Sequence, residues 1–599
     1  MPHRYLNLTP LSGVLAIMQQ EFPSPGRAEI VALAESVGRV TADPLYAGYS
    51  VPLADIAKFD GYAVKSGETL GAQDQRPIPL VGYARINTGE VLPRPFDAVI
   101  MVEDTWDEDG IPRIRKSAAP GQHIRRAGED VRAGELVLPK GHRIRPFDIG
   151  ALATYGIDRL AVRSVRIGIV PTGSDLVPLG TTPGPGETVE TNTLMAAAYL
   201  TGVGATCRRY GIVPDEPGLI REAVERAVAE NDLVLLSAGS SAGTRDFSRD
   251  VIEEIGEIVI HGIAVRPGKS VLLANVGGKP VLGMPGYPVA AQTILREVAG
   301  ALLSWWGLPS IPCAGMDVRL SRRLASDLGF DEFVPVSIGR VGGACWATPH
   351  PRGGGIQMAV VRANGYIHIP ADREGIEAGE DVRVRLTVPP ASIERTLICI
   401  GPRDPAFTEL ANRLPDSGYL LHCCNASTVG AVLALRMKTC HAATVVLPEI
   451  ASAWSDQVLR YLPDAHLLRV PVARTEFGVA SAEPLDAGSL ASLRVTGRPR
   501  SVAVKFLLDA WFAREGIDAL PSGGSPDVQV CSALEARAAG LRFTSIGHET
   551  CDLVVREEFA ADEGVAALIE AARSPEFRAY LRAAGRDPGE GDAHGTISP

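Results

Sequence analysis

The chain has 599 residues, a formal net charge of -11, and 46% hydrophobic against 22% charged residues. That is ordinary globular material, long enough for roughly three to five domains. The acidic balance argues against a general nucleic-acid binder, so no nucleic-acid partner is expected. No apolar run reaches the roughly 18–20 residues that span a bilayer. The start, Met1-Pro2-His3-Arg4, lacks the apolar core of a signal peptide, so no membrane contact is expected. Nine Cys and eleven His show no metal-ligand spacing. Scattered thiols in apolar surroundings point to a reducing, cytoplasmic location.

In chain order, Leu11 to Glu21 and Ala28 to Val37 carry helix-like apolar spacing. Asp60-Gly61 is a turn signal followed by a short alternating strand. From there to Ile144, short apolar strands such as Asp97 to Glu103, separated by Gly and Pro, read as a small independent β domain. Within it, the loop Arg85 to Glu90 carries Thr88, and His123 to Asp130 supplies Arg125 and Arg126. Taken alone, both loops read as solvated turns before they read as phosphate contacts.

From Val165 the pattern alternates strand and helix. Strands are expected at Val165–Val170, Arg208–Val213, Asp232–Ser237 and Ile258–Val265, with a hairpin through Val276-Gly277-Gly278-Lys279. Helices are expected at Thr191–Val203, from Pro217 with Leu219, Ile220, Ala223, Val224 and Ala227 on one face, from Phe247, and from Val289 to Trp306. This implies a parallel sheet covered on both faces. The central stretch runs from Asp232 through Ala238-Gly239-Ser240-Ser241-Ala242-Gly243 to Asp246. A strand, a glycine loop and a helix present N–H groups to an anion. An ordinary turn with a capping Asp explains the same residues equally well. Asp175, Asp215 and Asp246 stand at three strand ends of one edge, where parallel sheets bind ligands. Together they favour a phosphate–metal site.

Pro309 to Leu386 alternates with period two and reads as a small β-barrel or sandwich, and Val388-Pro389-Pro390-Ala391 as a linker. The last part is α/β again. Strands are expected at Thr396–Ile400, Tyr419–Cys424, Ala443–Leu447 and finally Cys551–Arg556; helices at Ala406–Leu414, Ser427–Met437, Ser501–Glu515 and Val565–Leu581. Ser427 and Thr428 open a helix as cap or anion contact. Arg498, Arg500 and Lys505 read as solvated charges, and the residues after Ala583 as a disordered tail.

Seven segments together resemble the molybdopterin molybdenumtransferase family, the MoeA and gephyrin E-domain group. They are Phe59-Asp-Gly-Tyr-Ala-Val64, Thr88-Gly89, Ile124 to Asp130, Pro171-Thr-Gly-Ser-Asp175, Ser237 to Asp246, Arg266-Pro-Gly-Lys269 and Met284 to Val289, in family order and spacing. The match covers about residues 5 to 388. Residues from about 393 to 575 more weakly resemble a periplasmic-binding-protein-like domain, through their α/β order, Asn425 to Gly430 and Asp552 to Val555.

The resemblance implies a multidomain α/β plus β protein. It has a linker or helical subdomain at 1–45 and 145–164, a β subdomain at 46–144 and a molybdopterin-binding α/β domain at 165–308. A β-barrel at 309–388, an α/β ligand-binding domain at 393–582 and the tail 583–599 complete it. An elongated homodimer is implied, with the site between one protomer's α/β domain and the other's β domain. Transient contact with other molybdenum-cofactor enzymes is implied too. The implied reaction inserts molybdenum from molybdate into adenylylated molybdopterin (molybdopterin-AMP) and releases AMP with Mg²⁺. Asp60, Thr88, Asp215 and Asp246 match catalytic positions, and Asp175 and Asp246 metal positions. Thr172, Gly173, Ser237, Gly239, Ser240, Ser241, Gly243, Arg266, Lys269, Pro285 and Pro288 match substrate positions.

The chain departs from the family pattern at Ser174, Asp175, Gly262, Arg266 and Tyr287. Pro335 stands where an Arg is common, and Met358-Ala359 where a Ser pair is. Two other readings therefore stay open. One is a non-catalytic or regulatory protein that binds a pterin or oxyanion. The other is a molybdopterin adenylyltransferase, which the two β regions at 46–144 and 309–388 disfavour.

Overall fold

The computed structural model describes residues 8–237, 247–450, 458–463, 465–482, 495–496, 502–515, 528–589 and 596–597. Helix α1 (Leu11–Glu21) buries Leu11, Val14 and Met18, the spacing of one helix face. These side chains enter the core of the central α/β sheet beside Trp306, whose indole N–H donates to the Phe22 carbonyl at 2.9 Å. The second expected helix is not formed. Ala28–Ala32 is strand β1, paired antiparallel with Arg159–Arg163. The ladder offered by a distant segment outweighs helical spacing over so few residues.

The small β part centres on β2 (Gly61–Val64), flanked by β3 (Ala84–Ile86) and β4 (Ala98–Met101). Gly61 is required there, because a Cβ would lie 1.9 Å from the Ile100 carbonyl oxygen.

The central sheet contains β5 (Arg166–Pro171), β6 (Thr206–Arg209), β7 (Leu233–Ser237), β8 (Glu257–His261), β9 (Leu272–Val276) and β10 (Lys279–Met284). Its order is β6-β5-β7-β10-β9-β8. The first four strands are parallel, and β9 and β8 are added by antiparallel pairing. Leu233 and Leu235 enter one hydrophobic core, and Val234 and Leu236 the other. This two-sided burial explains the unbroken apolar run. Around the sheet lie α2 (Asn192–Gly202), α3 (Pro217–Glu230) and α4 (Phe247–Ile255). On α3, Ile220, Ala223, Val224 and Ala227 are buried as expected, whereas Leu219 stays 41% exposed at the stripe's margin. The expected strand Ile258–Val265 is divided. It leaves this sheet at His261, and Val265–Arg266 pair with Asp331–Glu332 instead. The last helix begins with α5 (Pro288–Ile294) and continues through a π turn, Leu295–Ala299, to Trp305.

Five strands close the barrel: β11 (Gly315–Leu320), β12 (Asp331–Val341), β13 (Ala344–Pro349), β14 (Gly365–Ile369) and β15 (Asp381–Leu386). The circuit is β12-β13-β11-β15-β14 and back to β12. A short helix, α6 (Gln357–Val361), precedes β14. The expected linker is not loose. Pro390–Arg395 form a 3₁₀ helix, and Ile393 is fully buried in the barrel core. The barrel also sits tightly against the C-terminal region, since a Cβ at Gly339 would lie 2.6 Å from the Thr396 carbonyl oxygen.

The C-terminal sheet has β16 (Thr396–Gly401), β17 (Leu420–Asn425), β18 (Ala442–Pro448), β19 (Leu467–Ser481), β20 (Val528–Ser532) and β21 (Arg542–Arg556). β17, β16 and β18 are parallel neighbours, and β18, β21, β19 and β20 continue by antiparallel pairing. Helices α7 (Pro405–Arg413) and α8 (Thr428–Arg436) follow the first two strands as expected. Two findings differ from expectation. The 15-residue partners β19 and β21 run along each other, although only Cys551–Arg556 read as strand. The expected helix Val565–Leu581 is two helices, Glu563–Arg573 and Pro575–Ala583, because Pro575 ends the first and Ser574 caps the second. The supposed tail is partly ordered. Asp587–Pro588 pair with Ala473–Arg474, and Arg586 forms a two-bonded ion pair with Asp404. Arg498 and Arg500 lie outside the described residues.

Candidate active site

In the small β part the loop after β3 meets the turn before β2. The Thr88 backbone N–H and hydroxyl both donate to Oδ1 of Asp60, at 2.6 and 2.8 Å. The backbone bond, then the hydroxyl bond, hold the Asp60 carboxyl below the usual carboxylate range. Asp60 is therefore a fixed, exposed carboxylate at neutral pH. Arg85 adds a weaker electrostatic pull on Asp60, while Arg125 and Lys58 of the same β part are matched with Asp130 and Glu129.

The second group lies at the C-terminal edge of the central sheet. The Thr172 N–H donates to the Ser237 carbonyl at 2.9 Å, which joins the turns after β5 and β7. Gly173 has φ +150°, which suits glycine at this tight turn. Ser174 and Asp215 clasp each other: the Ser174 N–H donates to Asp215 Oδ2 at 3.0 Å, and the Asp215 N–H to Ser174 Oγ at 3.0 Å. Asp175 is exposed beside this clasp. Pro285 follows β10, whose Met284 pairs with Ser237, and Pro288 opens α5. The Asn192 amide holds the intervening Gly286 carbonyl at 2.8 Å. The structure thus gathers Thr172, Gly173, Ser237, Asp175, Asp215, Pro285 and Pro288 on one edge. Gly239, Ser240, Ser241, Gly243 and Asp246 lie outside the described residues. The clasp itself was missed by sequence reasoning. Ser174 counted only as a departure, and nothing local signals its partner 41 residues on.

The third group separates. Arg266 pairs with Asp327 and stacks at 4.0 Å on Phe330. It lines a cavity of about 480 Å³ together with Glu332, Phe333, Pro335, Arg352 and Ala359. Arg352 is matched by buried Glu332 at 3.0 Å, so both arginines of this cavity already face carboxylates. Lys269 is exposed and is not part of that lining. The structure therefore does not bring Arg266 and Lys269 into one cavity.

The C-terminal region has a cleft of about 830 Å³ between the ends of β16 and β17 on one side and helix α9 (Ala533–Ala538) on the other. Ser427 and Thr428 line it, but their hydroxyls are engaged. Ser427 accepts from the Gly430 N–H, and Thr428 donates to the Val446 carbonyl. The capping reading holds for Ser427, while Thr428 ties the helix start to β18.

Residues 9–156 match the family described as the MoeA N-terminal region (domain I and II), residues 168–304 the "Probable molybdopterin binding domain", and residues 317–387 the MoeA C-terminal region (domain IV). A protein of Mycobacterium tuberculosis named molybdopterin molybdenumtransferase 2 is 30% identical over 383 residues, which is 59% of this chain and 94% of that protein. A molybdopterin molybdenumtransferase of Haemophilus influenzae is 29% identical over 394 residues, covering 61% and 96%. The crystal structure of a molybdopterin biosynthesis MoeA protein from Pyrococcus horikoshii superposes with a TM-score of 0.56 at 30% identity, covering 64% of this chain and all of that one.

Proposed function

Because the chain belongs to the MoeA family of molybdopterin molybdenumtransferases, we propose that it inserts molybdenum from molybdate into adenylylated molybdopterin and releases AMP. It is a transferase of molybdenum cofactor biosynthesis with a molybdopterin-binding domain. The observation that carries the finer reading is the sheet edge that unites Thr172, Ser237, Asp215 and Asp175. Carboxylates at one strand edge, next in sequence to a glycine-rich segment, suit a phosphoanhydride approached with a cation between them. The Gly239–Gly243 loop receives the phosphate in this reading. Asp215, fixed by Ser174, acts from the strand edge, and Asp60, fixed by Thr88, acts from the β part of a second protomer in a homodimer.

Mg²⁺ takes one or two carboxylates and completes its shell with water and phosphate oxygens. No group of three or more His, Cys, Asp or Glu is placed to hold a metal among the described residues. An exposed Asp175 at the edge fits that sparse mode, and Asp246 would be its second carboxylate. When bound, the ion neutralises charge that develops as the anhydride breaks. Among the described residues, no helix is long and apolar enough to cross a membrane. A cytoplasmic location and transient contact with other molybdenum-cofactor enzymes complete the proposal. So does a periplasmic-binding-protein-like, ligand-binding role for residues 393–582.

The test is AMP release from adenylylated molybdopterin by purified protein, dependent on molybdate and Mg²⁺. Asp246→Ala is expected to abolish it in a folded protein, and retained turnover removes the metal assignment. One observation favours a second reading. With Arg266 and Arg352 matched by acids and Pro335 and Ala359 in the same wall, the cavity has little left for an oxyanion. Pterin or oxyanion binding without AMP release, beside a working relative as control, selects a regulatory binding protein instead.

A further inference from the structure

Where the barrel meets the C-terminal sheet there is a second cavity, of about 550 Å³, which shares Arg403, Asp404 and Asn425 with the cleft facing α9. Arg362, just after α6, lines it from the barrel side, and Arg403, between β16 and α7, from the other. Among the described residues neither guanidinium has an ion-pair or hydrogen-bond partner. Asp404 is the lining's one carboxylate, and it is spent: both its oxygens bind Arg586, and Oδ1 also accepts from the Ala406 N–H. The cavity is thus walled by two uncompensated cations from two parts of the chain.

The wall is held rigidly. The Ser337 hydroxyl on β12 donates to the Arg362 carbonyl at 3.0 Å. It also contacts His350 Nε2 at 2.8 Å and His422 Nδ1, on β17, at 2.9 Å. The Arg362 backbone is therefore tied to the C-terminal sheet through Ser337 and His422. Cations left unmatched in a concave, partly apolar site call for an anion, and the planar guanidinium fork matches a tetrahedral oxyanion.

We infer that this junction is a binding site for a tetrahedral oxyanion group, either a free inorganic oxyanion or the terminal phosphate of an organic ligand, held between Arg362 and Arg403. The volume exceeds that of one such group, so both sources fit. The site lies apart from the transferase edge, and α6 reaches toward both cavities: Ala359 lines the one with Arg266, and Val361 lines this one.

The test is calorimetric titration of the full chain with inorganic phosphate, molybdate and AMP in separate arms. Saturable binding is expected in at least one arm, weakened about tenfold or more by Arg362→Gln and by Arg403→Gln. In the phosphate arm it is lost in the double variant, in the molybdate and AMP arms only the binding that belongs to the transferase edge remains, and Arg383→Gln, at an exposed position of β15, leaves every arm unchanged. Arg362→Lys keeps the charge and is expected to retain most of the affinity, which separates lost binding from lost folding. A loss confined to the inorganic arms assigns a free oxyanion, and one confined to AMP assigns an organic phosphate. The inference is overturned if no arm shows saturable binding, or if the double variant binds every probe as the unsubstituted chain does.

Discussion

In the central sheet the turns after β5 and β7 are laced together, Thr172 to Ser237 and Ser174 to Asp215, and Asp175 faces solvent. In the C-terminal sheet the turns after β16 and β17 are also joined, through the Ala426 N–H and the Gly401 carbonyl. Beyond them the charge is reversed: Asp404 is consumed by Arg586, and Arg403 is left over. One strand–turn–helix device therefore ends in a spare carboxylate, Asp175, in the first sheet and a spare guanidinium, Arg403, in the second. The first suits a phosphate only through a bridging cation, and the second takes an anion directly. Local topology makes the edge, and the charge left after internal pairing decides what the edge receives.

The largest expected effect lies in the second sheet. The side chains of Arg586 and Asp404 are 12% and 8% exposed. Arg586→Ala strands a buried carboxylate and is expected to cost about 3–5 kcal/mol in chemical denaturation. A loss below about 1 kcal/mol would show the pair to be dispensable and the contrast in charge overstated. Next comes Asp60→Ala, expected to lower AMP release about a hundredfold or more through loss of a positioned carboxylate. Phosphate affinity at Arg362 is expected to stay unchanged; if both fall together, the two regions do not act separately.

A smaller effect concerns the junction. His441 accepts from the Ile398 N–H on Nδ1 and contacts the Arg340 carbonyl through Nε2, and burial pushes its pKa down to about 4. The unfolded imidazole protonates near 6.5, so between 6.5 and 4 the unfolded chain binds more protons and stability falls as pH falls. The expected loss from this residue is about 1–2 kcal/mol between neutral pH and pH about 5. Asp552, raised to about 6 by burial, works in the opposite sense over part of that range. His441→Gln should therefore flatten the acid limb of a stability–pH curve, and an unchanged limb would locate the acid sensitivity elsewhere. The smallest effect is Leu219→Gln on α3, expected within about 0.5 kcal/mol because the side chain is 41% exposed.

Much of the fold was legible. The run Leu233–Ser237, the Gly277-Gly278 hairpin and the helix from Pro217 follow from apolar continuity, positive-φ glycines and proline placement, all local causes. The family motifs singled out Asp60 and Thr88, and the strand-end acids put Asp215 at the sheet edge; the structure joins Asp60 to Thr88 and Asp215 to Ser174. What was not legible depends on partners far along the chain. β1 is a strand because Arg159–Arg163 lie opposite it, and β19 and β21 are long because each is the other's ladder.

The sequence by itself determined most strands and helices of the central sheet, the apolar faces and the candidate acids, because these rest on spacing within a few residues. The tertiary structure alone decided which charges remain available. Arg266 looked free until Asp327 and Phe330 closed on it, and Arg362 and Arg403 looked unremarkable until two separate parts of the chain set them around one cavity. A charge is available only when no folded neighbour neutralises it, and folding brings those neighbours from any distance in sequence.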